Sequence, residues 1–155
     1  MENRRPFLIL ALGNDLLGDD AVGPLAAREL ERRLDLTKID IVETGKAGLA
    51  LMEILTGYEK ALIIDSVQTC ENPPGTVIEF QPGDFRKVVA PSPHYAGLPE
   101  ILSSAERFDL PMPSELRILA MEVANPFDFA EKFTPEVEMG FPDLIDRACA
   151  IAASW

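Results

Sequence analysis

Two short stretches of uninterrupted apolar residues constrain the fold of this chain most strongly. Phe7–Leu12 lies between Pro6 and Gly13, and residues 61–64 are followed directly by Asp65. A strand whose side chains are all apolar has no face suited to water, so it belongs in a parallel sheet that is covered on both faces. The two runs therefore predict an α/β protein.

Helical segments with one apolar face separate the predicted strands. Apolar residues recur at every fourth position through residues 22–34, with charged residues between them, which predicts an amphipathic helix. Further strands are predicted at 39–43, 76–80 and 115–123, and further helices at 49–55, around 98–107 and from 136 onward, where Pro142 would delay or kink the helix. The strand at 76–80 alternates like a half-exposed strand and should lie near a sheet edge.

This order of elements predicts a three-layer α/β sandwich in which helices flank a mostly parallel sheet of about five strands. A length of 155 residues with 47% hydrophobic residues suits one domain spanning 1–155. Residues 81–93 contain three prolines and one glycine without a clear period. We expect a long functional loop there.

Composition excludes several classes of partner. A net charge of −12 would repel a phosphate backbone, so nucleic acid is excluded as a partner. No apolar run approaches the roughly 20 residues that span a bilayer, and the first run is too short for an export signal. Cys70 and Cys149 form no disulfide or zinc pattern. We expect a cytoplasmic protein without membrane insertion, and a monomer, although no feature of the sequence determines the oligomeric state.

Candidate functional residues follow the predicted strands. Ligand sites in such sheets lie at the carboxyl ends of the strands, where this chain places the 13–20 loop, Asp65 and, after the proline-rich segment, His94. His94 is the only histidine. Two carboxylates and one imidazole form an open set that suits nickel, zinc or a similar divalent ion.

Each candidate also has an ordinary structural interpretation. Asp19 or Asp20 could cap the first helix, Asp65 could end its strand in a turn, and His94 could be a solvated loop side chain. The glycines of the 13–23 segment do not match the GxGxxG spacing, so a dinucleotide site is not predicted.

The order and the residue patterns of several motifs resemble those of the hydrogenase maturation protease family. Residues 12–23 (LGNDLLGDDAVG) resemble its first-loop signature, in which Gly-Asn is followed by Leu, by Asp with Asp or Glu, and by Gly. Similar family segments are seen at 44–48 (TGKAG, with Thr44 where relatives have glycine), 62–67 (LIIDSV), 74–76 (PGT), 92–98 (SPHYAGL) and 134–137 (TPEV). Residues 122–133 depart from the family's Pro-Glu-containing loop. The resemblance covers nearly the whole chain.

The resemblance implies an endopeptidase that removes the C-terminal tail of a nickel-loaded hydrogenase large-subunit precursor. It assigns metal-contacting and catalytic roles to Asp20, Asp65 and His94. It also implies that the nickel is supplied by the precursor, which holds it through its own cysteines, and that cleavage occurs just beyond the precursor's C-terminal cysteine motif. Other divalent ions are expected to be able to occupy the same site.

No Ser-His-Asp or Cys-His set is evident, so metal-assisted hydrolysis is the preferred mechanism, with the proton-accepting carboxylate left open. One alternative function is a nickel-binding maturation chaperone that cuts no bond. Another is a peptidyl-tRNA hydrolase, whose first turn is similar to Leu12-Gly13-Asn14. The absence of a histidine soon after that turn, and the negative charge, disfavour it.

Overall fold

The computed structural model describes residues 4–86, 94 and 98–155. Its strands are β1 (Phe7–Leu12), β2 (Ile39–Thr44), β3 (Lys60–Val67), β4 (Val77–Phe80) and β5 (Glu115–Glu122). Its α-helices are α1 (Val22–Arg33), α2 (Leu49–Leu55), α3 (Leu98–Arg107) and α4 (Pro135–Ala153), and two 3-10 helices, η1 and η2, span Gly18–Ala21 and Pro82–Arg86. No helix in these described ranges is long and apolar enough to cross a bilayer.

The strands form one five-stranded sheet in the order β2-β1-β3-β5-β4. β1 pairs in parallel with both β2 and β3, and β3 pairs in parallel with β5. β4 is antiparallel to β5 and forms one edge of the sheet. The predicted mostly parallel sheet is confirmed, as is the placement of residues 76–80 at an edge.

Both faces of the central strands are covered by helices, which explains their continuous apolar sequences. Ile9 of β1 belongs to the core shared with α1 and α4, whereas Leu8 and Leu10 belong to the core shared with α2. Because successive strand residues point to opposite faces, a strand between two helical layers requires apolar side chains at every position. The predicted three-layer sandwich is therefore the observed architecture.

Three details differ from the prediction. Residues 82–86 form η2 instead of an irregular loop; there the Asp84 carboxylate accepts a hydrogen bond from the Gln81 amide at 2.7 Å. The rest of the predicted loop, 87–93, lies outside the described residues. β3 continues through Asp65 to Val67, because its ladder with β5 extends to the Val67–Glu122 pair. Pro142 lies inside α4 without delaying its start, which is at Pro135.

The start of α1 is packed directly against the end of β1. A Cβ atom added at Gly23 would lie 2.1 Å from the Leu12 carbonyl oxygen and 2.9 Å from the Leu12 carbonyl carbon and amide nitrogen. Only a residue without a Cβ permits this approach. The contact between Gly23 and Leu12 fixes the start of α1 against the end of β1. It therefore also fixes the position of η1, which lies between them in the chain.

We predict that Gly23→Ala lowers the free energy of unfolding by about 1–3 kcal/mol, because the added methyl group would have to displace the Leu12 backbone. Urea denaturation measures the loss. Gly83→Ala is the matched control, since a Cβ at Gly83 would meet no atom of the described residues within 4 Å. Equal stability of the two variants would show that α1 is not packed as closely on β1 as described.

Candidate active site

The candidate residues lie at the carboxyl end of the parallel sheet, near β1 and β3. The connection from β1 leads into α1 on one face of the sheet, whereas α2, which precedes β3, packs on the other face. The strand order β2-β1-β3 makes the β1–β3 boundary the point where the direction of chain progression reverses. Open α/β sheets form their ligand crevices at this kind of boundary.

Asp20 is held by hydrogen bonds to both of its carboxylate oxygens. The Ser66 hydroxyl donates to Oδ1 at 2.7 Å, and the Asn14 amide donates to Oδ2 at 2.9 Å. Burial raises the pKa of Asp20, while these two hydrogen bonds and the charge of His94 act to lower it. Asp20 is therefore fixed in orientation and lies within electrostatic range of His94.

Asp19, the preceding residue, has a different role. It is 4% exposed, and its two carboxylate oxygens accept hydrogen bonds from the Thr134 amide and hydroxyl, both at 2.8 Å. This pair ties η1 to the start of α4. Neither acid caps the first helix: the N-cap of α1 is Ala21, without a side-chain hydrogen bond.

Asp65 is fully buried within β3. Its Oδ1 accepts a hydrogen bond from the Ser66 amide at 2.8 Å. A carboxylate with no exposed surface opposes folding unless its surroundings compensate, and acids of this kind cluster at functional sites. The alternation of β3 places Asp65 on the same face as Ile63 and Val67, and Ser66 on the opposite face, toward Asp20.

His94 is half-buried and is oriented by the turn that follows β2. Its Nδ1 lies 2.9 Å from the Lys46 carbonyl oxygen. A carbonyl can only accept, so in the neutral imidazole this contact assigns the proton to Nδ1 and the lone pair to Nε2. Histidines that bind metals are commonly oriented in this way by a backbone carbonyl. The glycine-containing turn predicted at 44–48 thus supplies the group that orients the histidine.

The three predicted residues come from three different parts of the chain. The contacts that position them involve Ser66, Asn14 and the Lys46 carbonyl, which lie in the quoted motifs but to which the sequence assigned no role. Within residues 4–86, 94 and 98–155, no group of three His, Cys, Asp or Glu side chains is arranged to hold a metal ion by itself. A cleft of about 570 Å³ lies at the other end of the sheet, beside the start of β5. That cleft contains none of the candidate residues.

Comparison with known proteins gives a consistent result. A family model described as hydrogenase maturation protease matches residues 24–151, a range that includes Asp65 and His94 and begins just after Asp20. Hydrogenase 2 maturation protease of Escherichia coli (strain K12) is 30% identical over 149 residues, which cover 93% of this chain and 88% of that protein. Hydrogenase expression/formation protein HupD of Bradyrhizobium diazoefficiens is 26% identical over 152 residues, covering 96% and 79%.

Solved structures agree with this match. The hydrogenase maturating endopeptidase HybD from Escherichia coli superposes with a TM-score of 0.80 at 25% identity, covering 96% of this chain and 92% of that chain. The nickel-iron hydrogenase maturation protease HybD from Thermococcus kodakarensis gives a TM-score of 0.71 at 27% identity, covering 94% and 98%.

We predict that Asp19→Ala lowers the free energy of unfolding by about 1.5–3 kcal/mol, because it removes two charge-assisted hydrogen bonds to Thr134. Asp20→Ala should cause a smaller loss, since burial already opposes the charged form of that carboxyl group. Urea denaturation of both variants measures the difference. A larger loss from Asp20→Ala would contradict the division of roles between the two acids.

Proposed function

Because the chain belongs to the hydrogenase maturation protease family, we propose that it removes the C-terminal tail of a nickel-iron hydrogenase large-subunit precursor at a site formed by Asp20, Asp65 and His94. Its relatives are named as proteases and endopeptidases, so peptide-bond hydrolysis is its activity. The same matches rule against the peptidyl-tRNA hydrolase and favour an enzyme over a non-catalytic chaperone.

The orientation of His94 is the observation that carries the site assignment. Its Nδ1 contact with the Lys46 carbonyl directs the metal-binding lone pair to Nε2. His94 also lies within electrostatic range of Asp20, because its protonated form would lower the pKa of that carboxyl group. The Asp20 carboxylate is held by the hydroxyl of Ser66 on β3. These contacts support the pairing of His94 with Asp20 at the boundary between β1 and β3. Asp65 is included in the proposed site because of the family motif, since its side chain lies on the other face of β3 from Ser66.

We propose that nickel reaches this site as part of the substrate. The precursor would present the ion through its own cysteine thiolates, and the protease would add one imidazole and carboxylate oxygens. Such a mixed set suits nickel, and other divalent ions could occupy it as well. An incomplete ligand set on the protease makes productive binding depend on a precursor that already contains its metal.

Bond cleavage requires a polarised scissile carbonyl, an activated water molecule and a group that accepts a proton. In this proposal His94 and the acids position the precursor's nickel beside the scissile bond, just beyond the C-terminal cysteine motif. Asp20 and Asp65 are both candidates for the proton acceptor. Asp20 lies in η1 and is half-buried, whereas Asp65 is fully buried in β3, so the two differ in how easily water can reach them.

The cellular setting is part of the same proposal. Cys70 and Cys149 are both free thiols, which suits a reducing compartment. We therefore place the reaction in the cytoplasm, where large-subunit precursors would be processed, and we propose that the protease acts as a monomer.

We predict that His94→Ala abolishes processing while the protein remains folded, because the variant loses the only imidazole but little apolar packing. Mass spectrometry of the precursor after incubation measures tail removal, and thermal unfolding checks the fold. Glu53→Ala, which removes an exposed carboxylate on α2, is the control and should process normally. Normal processing by a folded His94→Ala protein would exclude His94 from the site.

We predict that the purified protein contains little nickel and leaves nickel-free precursor uncut even when the protease is in excess. The physical reason is that the protease supplies only part of the coordination shell. Elemental analysis of the protein and cleavage assays on precursor with and without nickel test this. Stoichiometric metal in the isolated protein, together with efficient cleavage of nickel-free precursor, would indicate a self-contained metalloprotease.

A further inference from the structure

Three large apolar side chains are exposed on two neighbouring loops at the carboxyl end of the sheet. Leu16, in the loop between β1 and η1, is 65% exposed, and Phe127 and Phe129, in the connection from β5 to α4, are 66% and 83% exposed. Isolated exposed apolar residues are ordinary, but a cluster on adjoining loops marks an interaction surface. We call these three residues the apolar rim.

The two loops of the apolar rim are joined by backbone contacts. Leu17 and Ala130 form an isolated parallel bridge, and the Gly18 amide donates a hydrogen bond to the Ala130 carbonyl at 3.1 Å. A Cβ at Gly18 would lie 3.1 Å from the Ala130 Cβ. Leu16 and Phe129 are the residues immediately before the two bridge partners, so the bridge brings their backbones close together.

The loop that carries the two phenylalanines is fastened along its length. The Gln68 side chain donates to the Ala124 carbonyl at 2.6 Å, and the Asn125 side chain accepts from the Phe127 amide at 2.9 Å. At its far end the Phe133 ring packs on the Phe141 ring with centroids 5.2 Å apart. The exposed rings therefore project from an ordered backbone, which reduces the entropy lost when a partner binds.

We propose that the apolar rim is the docking surface for the folded body of the large-subunit precursor, and that it lies beside the site that holds the precursor's tail. This inference rests on the proposed function. The rim is continuous with that site: Leu16 belongs to the loop that leads to Asp20, and η1, which contains Asp20, is bridged to the loop of Phe129. The rim therefore lies beside the approach that a folded substrate would use to bring its C-terminal tail to Asp20. Aromatic residues in such positions commonly dominate binding energy.

Phe127→Ala and Phe129→Ala test the proposal, with Phe108→Ala as the matched control. Phe108 is also highly exposed, at 76%, but it lies at the other end of the sheet. It follows α3 and precedes residues 111–114, which hydrogen-bond to Gly57 and Glu59 just before β3 begins. Steady-state processing of nickel-loaded precursor gives KM and kcat, and biolayer interferometry gives Kd. We expect each rim variant to raise KM and Kd about tenfold or more with kcat nearly unchanged, and the control to match the wild type.

Several outcomes would overturn the docking surface. The proposal fails if the rim variants process the precursor with wild-type KM. It also fails if Phe108→Ala raises KM and Kd as much as the rim variants do. Sedimentation of the wild type as a dimer that Phe129→Ala converts to a monomer would also overturn it, because the rim would then join two copies of this chain. If wild-type protein binds precursor but never cuts it, the proposed function fails, while the Kd values still decide the role of the rim. Thermal unfolding confirms that each variant is folded.

Discussion

The parallel pairing of β1 with β2 on one side and β3 on the other determines where this protein can perform chemistry. The connections beside β1 and β3 lie on opposite faces of the sheet, so a crevice forms between the ends of these two strands. The close packing of Gly23 on Leu12 sets the height of η1 above that crevice. From η1, Asp20 reaches the Ser66 hydroxyl on β3 at 2.7 Å. The sheet order thus brings residues from distant parts of the chain to one place.

The acids near the carboxyl end of the sheet divide into those that hold the framework and those that we propose take part in the reaction. Asp19 is used entirely to connect η1 with Thr134 at the start of α4. Glu122, which is 1% exposed, accepts a hydrogen bond from the Thr69 amide at 2.8 Å and so holds the loop after β3. Asp20, by contrast, is half-buried and lies within electrostatic range of His94. The framework acids hold η1 and the loop after β3 in place, and Asp20, the proposed functional acid, lies in η1.

Local sequence patterns predict the strands and helices well because each pattern of apolar residues can be buried by only one type of secondary structure. The run Phe7–Leu12 has the bounds of β1, and α2 and α3 begin and end where their patterns do. The 3-10 helix at 82–86 was missed because proline-rich sequence carries no helical period. The candidate site residues were found from strand ends and family motifs. Their supporting contacts were not, because they join residues 46, 48 and 115 positions apart, and such pairs depend on strand order, which local patterns do not encode.

The proposed recognition of a substrate-held nickel ion by His94 and neighbouring carboxylates would account for the oriented imidazole, the fixed Asp20 and the incomplete ligand set on the protease. Nickel-edge X-ray absorption on the rapidly frozen complex of protease and nickel-loaded precursor tests this most directly. The spectrum should gain nitrogen and oxygen neighbours beside the precursor's sulfur ligands, and His94→Ala should remove the imidazole contribution. A nickel spectrum identical in free and bound precursor, while the tail is still removed, would contradict recognition through the metal.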